Sequence, residues 1–275
     1  MGNHKLIKDV SSKAESPVFE GKQYHIALAP GDIPANACVL LPGDPARSEK
    51  IAQTWDTFKK VAEHREFVTC RGSFRDTPLA VTSTGIGPSS VEIAVTELAN
   101  IGTKTFIRVG SCGSLRKEIK CGELVISLGA VRLEHTSTNY VPVEYPAISD
   151  YRVTTALIQA AEDLGVSYHV GITASSDSFY LGQGRPGFEN YKQVFTDTIL
   201  PMLQRANVLN FEMEASCLFT LASVFGLRAG CICAVFANRE TGEFEVRGEE
   251  DAARVASEAA VLLAKNRKIR TLPRD

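Results

Sequence analysis

Short apolar runs that close on glycine alternate along the chain with longer runs of helical periodicity. "ACVLLPG" (37–43) predicts a short buried strand, and "EFVTCRGSF" with "TPLAVTSTG" predicts a strand pair. "SSVEIAVTELANIG" (89–102) has the spacing of a helix, capped by serine and stopped by glycine. "TKTFIRVGSCGS" predicts a strand ending in a glycine turn, and "GELVISLGAVRL" and "YHVGITASSDSF" predict further strands. "SDYRVTTALIQAAEDLGVS" (149–167) is amphipathic, with an N-cap and a glycine stop. "NFEMEASCLFTLASVFG" enters another helix, "RAGCICAVFANRE" predicts a long central strand, and "EEDAARVASEAAVLLAKNRK" predicts a closing helix. This rhythm predicts an α/β fold, with a mixed, mostly parallel central sheet flanked by helices. With no internal repeat, low-complexity tract or linker, a single domain over 23–275 is expected, preceded by a flexible polar extension over 1–22.

Composition narrows the function classes. The 275 residues are 44% hydrophobic and 23% charged, with a formal net charge of −2, enough apolar material for a sizeable core. That balance gives no electrostatic reason to expect a nucleic-acid partner, and the basic C-terminal stretch "KNRKIRTLPRD" reads as a solvated tail. No apolar run has the length of a membrane span or of a signal peptide, so no membrane partner is expected. The seven cysteines are odd in number, lack C-x-x-C spacing and sit mostly in apolar runs. Reduced, buried thiols and a cytoplasmic location are expected, and no zinc site.

In open α/β sheets ligands lie past the carboxyl ends of the strands, where "GDPAR", "STGIGPSS", "RVGSCGS" and "FANRE" fall, and the "FYLGQGRPGF" loop also follows a strand. In "LPGDPARSEKIA", Asp44 and Pro45 suit a helix start, while the Gly43 amide and the Arg47 fork suit an anion cradle. "FIRVGSCGS" puts Arg108 inside an apolar strand, where it needs either a core carboxylate or a bound anion. Ser111 and the glycines beside it offer a hydroxyl and close backbone approach. "VLNFEMEASCLF" places Glu212 and Glu214 at the start of an apolar helix, favoured by the helix dipole or suited to sugar hydroxyls. "FYLGQGRPGF" (179–188) sets Gln183 and Arg185 among aromatic rings.

Together and in this order, "LPGDPAR", "STGIG", "FIRVGSCGS", "TASSDSFYLGQGR" and "FEMEA" resemble the nucleoside phosphorylase-I family, from about Gln23 to the last helix. The resemblance implies phosphate bound by Gly43, Arg47, Arg108 and Ser111, with Arg65 reaching in from a neighbouring subunit. It implies ribose held by Met213, Glu214 and Glu212, with His25 crossing the same dimer interface. Ala237 stands where the family's purine-specific members carry an acid, and the "FYLGQGR" loop is similar to that of the uridine-acting branch. There Phe179, Gln183, Arg185 and Arg239 would form the uracil pocket. Glutamine both donates and accepts, and can read O2 and N3–H, whereas arginine donates to O4. The implied activity is reversible phosphorolysis of uridine in nucleoside salvage, with Arg108, Arg185 and Glu214 as its catalytic groups. Phosphate is a co-substrate, no redox cofactor is implied, and the active unit is a homo-oligomer, at least a dimer with shared sites. A purine or deoxypyrimidine phosphorylase, or a hydrolytic nucleosidase, is the alternative. The proline of "STGIGPSSVEI" sits one place earlier than the family pattern. This alters the turn beside an interface cation site that would here be Glu66, Ile86 and Ser90.

Overall fold

The computed structural model describes residues 17–265. Two short strands, β1 (Val18–Phe19) and β2 (Lys22–Gln23), form a ribbon that crosses the domain boundary expected at residue 22. The rest of the polar extension and most of the basic C-terminal stretch lie outside the described residues. β3 (Cys38–Leu41) leads into α1 (Pro45–Ala52), then β4 (Thr57–His64), β5 (Phe67–Phe74), β6 (Thr77–Thr82) and α2 (Pro88–Asn100). β7 (Thr105–Ser114), β8 (Leu124–Leu133), β9 (Ala147–Ile148), α3 (Tyr151–Leu164) and β10 (Tyr168–Ser176) follow. α4 (Val194–Arg205), β11 (Val208–Glu212), α5 (Ala215–Val224), β12 (Arg228–Asn238) and α6 (Glu249–Ala264) complete the chain.

The fold is α/β, built on one mixed sheet. Its strand order is β11-β10-β8-β12-β7-β3-β6-β5-β4, with β9 on β8. β3 pairs in parallel with both β6 and β7, and β7 with β12. β11 also pairs antiparallel with β7 through Asn210–Ser114 and Phe211–Gly113, so this end of the sheet curls back on itself. At the other end β4 is an edge strand, exposed along most of its length and bulged between Lys60 and Ala62.

Period-two alternation along the central strands feeds two cores. Val39, Leu41 and Phe106 face α2 and α5, packing with Val95, Leu98 and Phe219. Leu40 and Ile107 face the other helices, packing with Ile51, Leu157 and Val255 of α1, α3 and α6.

Local signals account for several element ends. Asp44 caps α1 by accepting from the Ala46 amide at 2.9 Å, with Pro45 in its first turn. Asp150 caps α3 by accepting from Arg152 and Val153, and Gly165 ends that helix in the left-handed region. α2 differs from expectation. Its cap is Gly87, with φ of 95°, followed by Pro88 as the first helical residue, and no serine caps it. The glycines of "GSCGS" also depart from the reading, because β7 runs through them to Ser114 and does not turn.

Replacing Asp150 by alanine frees two amides at the start of α3 and should cost about 1 kcal/mol. The urea midpoint should fall with an unchanged m-value; an unchanged midpoint would show that water replaces this cap fully.

Candidate active site

A cavity of about 880 Å³ opens past the carboxyl ends of β3, β7, β11 and β12. Its floor is the turn after β3, where the backbone of Gly43 runs beside that of Gly85. The Gly85 amide donates to the Gly43 carbonyl at 2.9 Å, and a Cβ on Gly43 would lie 3.0 Å from the Gly85 oxygen. Only glycine at 43 allows the two loops to touch this closely.

Arg108 lies on the α2/α5 face of β7 and is almost wholly buried. Its Nε donates to Glu212 at 2.8 Å, and its Nη2 forms an ion pair with Glu214 at 2.5 Å. The guanidinium folds back over Gly110, where a Cβ would stand 2.7 Å from Nη2. Burial opposes the charge of Arg108, but Glu214 and Glu212 outweigh it and keep the group cationic. Burial also pushes Glu212 up to about 7, against the pull of Arg108. Glu212 is the last residue of β11, not the start of a helix, and its side chain is closed to solvent. It accepts from Arg108, from the Ser175 hydroxyl and from the Glu214 and Ala215 amides. Glu212 thus lines the cavity while its carboxylate is held by Arg108. Glu214 stands at the N-cap of α5 and accepts from the Gly87 amide at 2.5 Å. The displaced proline thus makes a defined turn: Pro88 starts α2 and leaves the Gly87 N–H aimed at Glu214.

Arg47, in the first turn of α1, lines the same end of the cavity and pairs with Glu249 of α6. Its Nε is buried with no hydrogen-bond partner among the described residues. Ser111 and Met213 line the cavity beside these groups.

The opposite end is built by the loop after β10. Gln183 is buried, and its Oε1 accepts from Arg185 at 2.6 Å. Arg185 also donates to the Phe179 carbonyl, and its guanidinium lies 4.0 Å from the centre of the Phe179 ring. Arg239, after β12, donates to the Gln183 carbonyl at 3.0 Å and so pins the loop from behind. Burial, and then the charge of Arg239, lower Arg185 to about 10. Phe211, Phe236, Ala237 and Phe244 supply apolar wall.

His25 and Arg65 do not line this cavity. They share a separate patch, where Arg65 lies 5.9 Å from the Tyr24 ring centre and His64 Nδ1 is 2.9 Å from the His25 carbonyl. His25 is tied to α2 through Glu97, which also accepts from the Ile26 amide. Glu66, the next residue after Arg65, lines the cavity with Ile86 and Ser90, and accepts from the Ser90 hydroxyl at 3.2 Å.

Residues 37–265 match the family model described as "Phosphorylase superfamily". The chain is 58% identical over 259 residues to a protein from Thermococcus kodakarensis named uridine phosphorylase, covering 94% of this chain and 93% of that one. The chain belongs to the phosphorylase superfamily. Within that superfamily it is also similar to uridine phosphorylase of Escherichia coli, 40% identical over 80% of this chain and 87% of that one. It is 39% identical, over 84% of this chain and 89% of the other, to a protein of Halorubrum lacusprofundi named guanosine phosphorylase. A phosphorylase needs an anion site and a leaving-group site on either side of a sugar. The cavity offers arginines at one end, a buried amide and arginine at the other, and Met213 with Glu214 among its lining groups.

Sequence reasoning did not find Glu249, Glu97, Gly87 or Ser175 as partners of these groups. Each acts on a residue far away in the chain, as Glu249 does on Arg47 across 202 positions, and no local pattern marks it.

Arg239→Ala removes the tie to the Gln183 carbonyl without touching the cavity's anion end. Amide hydrogen exchange over 179–187 should speed up while β7 and β11 keep their protection. Unchanged exchange in that loop would mean that Arg185 and Phe179 alone hold it.

Proposed function

We propose that the chain catalyses the reversible phosphorolysis of uridine to uracil and ribose 1-phosphate. The observation that carries this reading is the joining, in one cavity, of Arg108 with Glu214 at one end and Gln183 with Arg185 at the other. The uridine phosphorylases among its relatives support the same substrate. Phosphate would lie at Gly43, Arg47, Arg108 and Ser111, where the orphaned Nε of Arg47 supplies a ready donor. Glu214 and Met213 would hold the ribose, and Gln183 and Arg185 the uracil edge, over the Phe179 ring. The sugar–base bond lengthens and positive charge develops at C1′. Phosphate, held on the opposite face, stabilises that charge and attacks. The departing uracil carries negative charge, which Arg185 meets at O4. The protein's contribution is placement and electrostatics, with no covalent enzyme intermediate and no redox cofactor.

The active unit is a dimer or larger assembly of this chain. His25 and Arg65 share a patch outside their own cavity, which suits delivery to a neighbour's ribose and phosphate. Glu66, Ser90 and the Ile86 carbonyl supply oxygen donors for an interface cation, which would offset the carboxylate of Glu66. Purine nucleosides are the second reading, favoured by the guanosine phosphorylase relative. Against it, Ala237 presents no acid to a purine ring. Hydrolysis is disfavoured by the arginines gathered at the anion end.

Arg108→Ala removes charge-assisted bonds worth about 1.5–3 kcal/mol each, so the phosphate KM should rise roughly ten- to a hundredfold. It is read from initial rates at saturating uridine, and an unchanged phosphate dependence removes Arg108 from the site. Gln183→Ala should lower uridine turnover by about tenfold or more. Wild type should also reject cytidine, whose 4-amino donor faces the donors of Arg185. If inosine is the better substrate, the uracil assignment fails.

Subunit mixing tests the shared site. Arg65→Ala and Arg108→Ala chains are each impaired alone, but a mixed dimer holds one site free of both changes. Partial recovery of activity is expected. With subunit exchange confirmed, the absence of recovery would place Arg65 outside the neighbour's site.

A further inference from the structure

β10 ends in a buried stretch with three hydroxyl residues, Thr173, Ser175 and Ser176, of which the first two bond to β11. A buried hydroxyl costs stability unless it is hydrogen-bonded, so serine in a core strand calls for a partner. The register supplies two. Thr173 lies opposite Asn210 of β11, and Ser175 opposite Glu212. Thr173 donates to Asn210 Oδ1 at 2.9 Å, a neutral pair within the core. Ser175 donates to Glu212 Oε1, and its oxygen accepts from the Ser216 amide at 2.9 Å. Ser175 thus holds one oxygen of the carboxylate and one orphan amide in the first turn of α5. The second oxygen of Glu212 holds Arg108 Nε at 2.8 Å.

We propose that Ser175 is a positioning residue for substrate phosphate: through Glu212 it fixes the plane in which Arg108 presents its guanidinium to the cavity. This rests on the reading of Arg108 as a phosphate ligand. Arg108 can serve phosphate only if its fork is held in one orientation, which the Nε–Glu212 bond sets together with the Nη2–Glu214 ion pair. Among the described residues, the side-chain donors to Glu212 are Arg108 and Ser175. The groups facing Glu212 are Arg108 and Cys112 of β7, Glu214 at the cap of α5, and Cys231 and Cys233 of β12. Of these Arg108 favours the ionised carboxylate, Glu214 opposes it, and the Ser175 bond adds to the pull of Arg108.

The sign of the pH effect follows. Loss of the Ser175 donor disfavours the carboxylate and moves its titration to higher pH. Phosphate KM should rise as the pH falls through that titration, and in Ser175→Ala the rise should begin at higher pH than in wild type. Phosphate's own ionisation is common to every variant and cancels in the comparison.

The test measures phosphate KM against pH, at saturating uridine, for wild type, Ser175→Ala, Ser175→Thr, Glu212→Gln, the Ser175→Ala/Glu212→Gln double variant and Arg108→Ala. Ser175→Ala should raise phosphate KM about tenfold at neutral pH, the factor for one lost hydrogen bond to a charged group. Ser175→Thr, which keeps the hydroxyl, should restore it. Glu212→Gln should leave only the pH dependence that phosphate's own ionisation imposes, and the double variant should be no worse than Glu212→Gln alone. Should Ser175→Ala fail to fold, the difference between the wild-type and Glu212→Gln profiles carries the test, and identical profiles overturn the proposal. A lowered melting temperature in Ser175→Ala with unchanged phosphate KM and pH profile would make Ser175 only a cap of α5. A lower phosphate KM in that variant would make Glu212 an opponent of phosphate, also overturning the proposal. If Arg108→Ala leaves phosphate KM unchanged, the phosphate site itself is misplaced and the proposal falls with it.

Discussion

A buried guanidinium shared by two carboxylates organises this molecule. Removing three charges from water is expensive, and their mutual attraction repays the cost only when geometry and further hydrogen bonds are good. Here both conditions are met by backbone. Gly110 gives Arg108 room to lie across its own strand, the amides of Glu214 and Ala215 saturate Glu212, and the Gly87 amide holds Glu214. The pairing of β11 with β7 makes this possible, because it brings the carboxyl ends of the two strands together. Breaking any member leaves an uncompensated charge in the core, so a substitution here costs stability as well as changing the cavity.

The two ends of the cavity are built in different ways. The anion end draws on β3, β7, β10, β11, α1 and α6, and its contacts span most of the sequence. The other end is almost entirely local: Phe179, Gln183 and Arg185 hold one another within seven residues, and Arg239 supplies the long-range tie. A loop of this kind can change its side chains without disturbing the buried charges. Relatives named uridine phosphorylase stand at 58% and 40% identity to this chain, and one named guanosine phosphorylase at 39%.

Much of the architecture was legible where local chemistry speaks for itself. Asp44 and Pro45 read as a helix start, Asp150 and Gly165 as the ends of a helix, and apolar runs as buried strands. β4 was not visible, because "TFKKVAEH" has the exposed, charged character of an edge. α4 was hidden by Pro201 in its interior. The glycines of β7 read as a turn because their purpose shows only in the folded strand, where Gly110 admits the guanidinium of Arg108 and Gly113 lies against Arg239. Cavity residues emerged from their motifs, but not what they hold: Arg108 gave no sign of which carboxylates it meets. Spacing placed Glu212 on a helix, whereas register with Ser175 makes it the end of a strand.

The closure of β11 onto β7 also bears on how copies of the chain can meet. A sheet that joins to itself at one end offers no row of free amides there for another molecule to extend. The remaining edge, β4, carries Lys59, Lys60 and Glu63 and a bulge that interrupts its hydrogen-bonding line. Charge and irregularity at an edge obstruct strand addition. Uncontrolled sheet-to-sheet growth, the usual hazard of a wide β-sheet, is thereby blocked at both ends, and association is left to helices, loops and side chains.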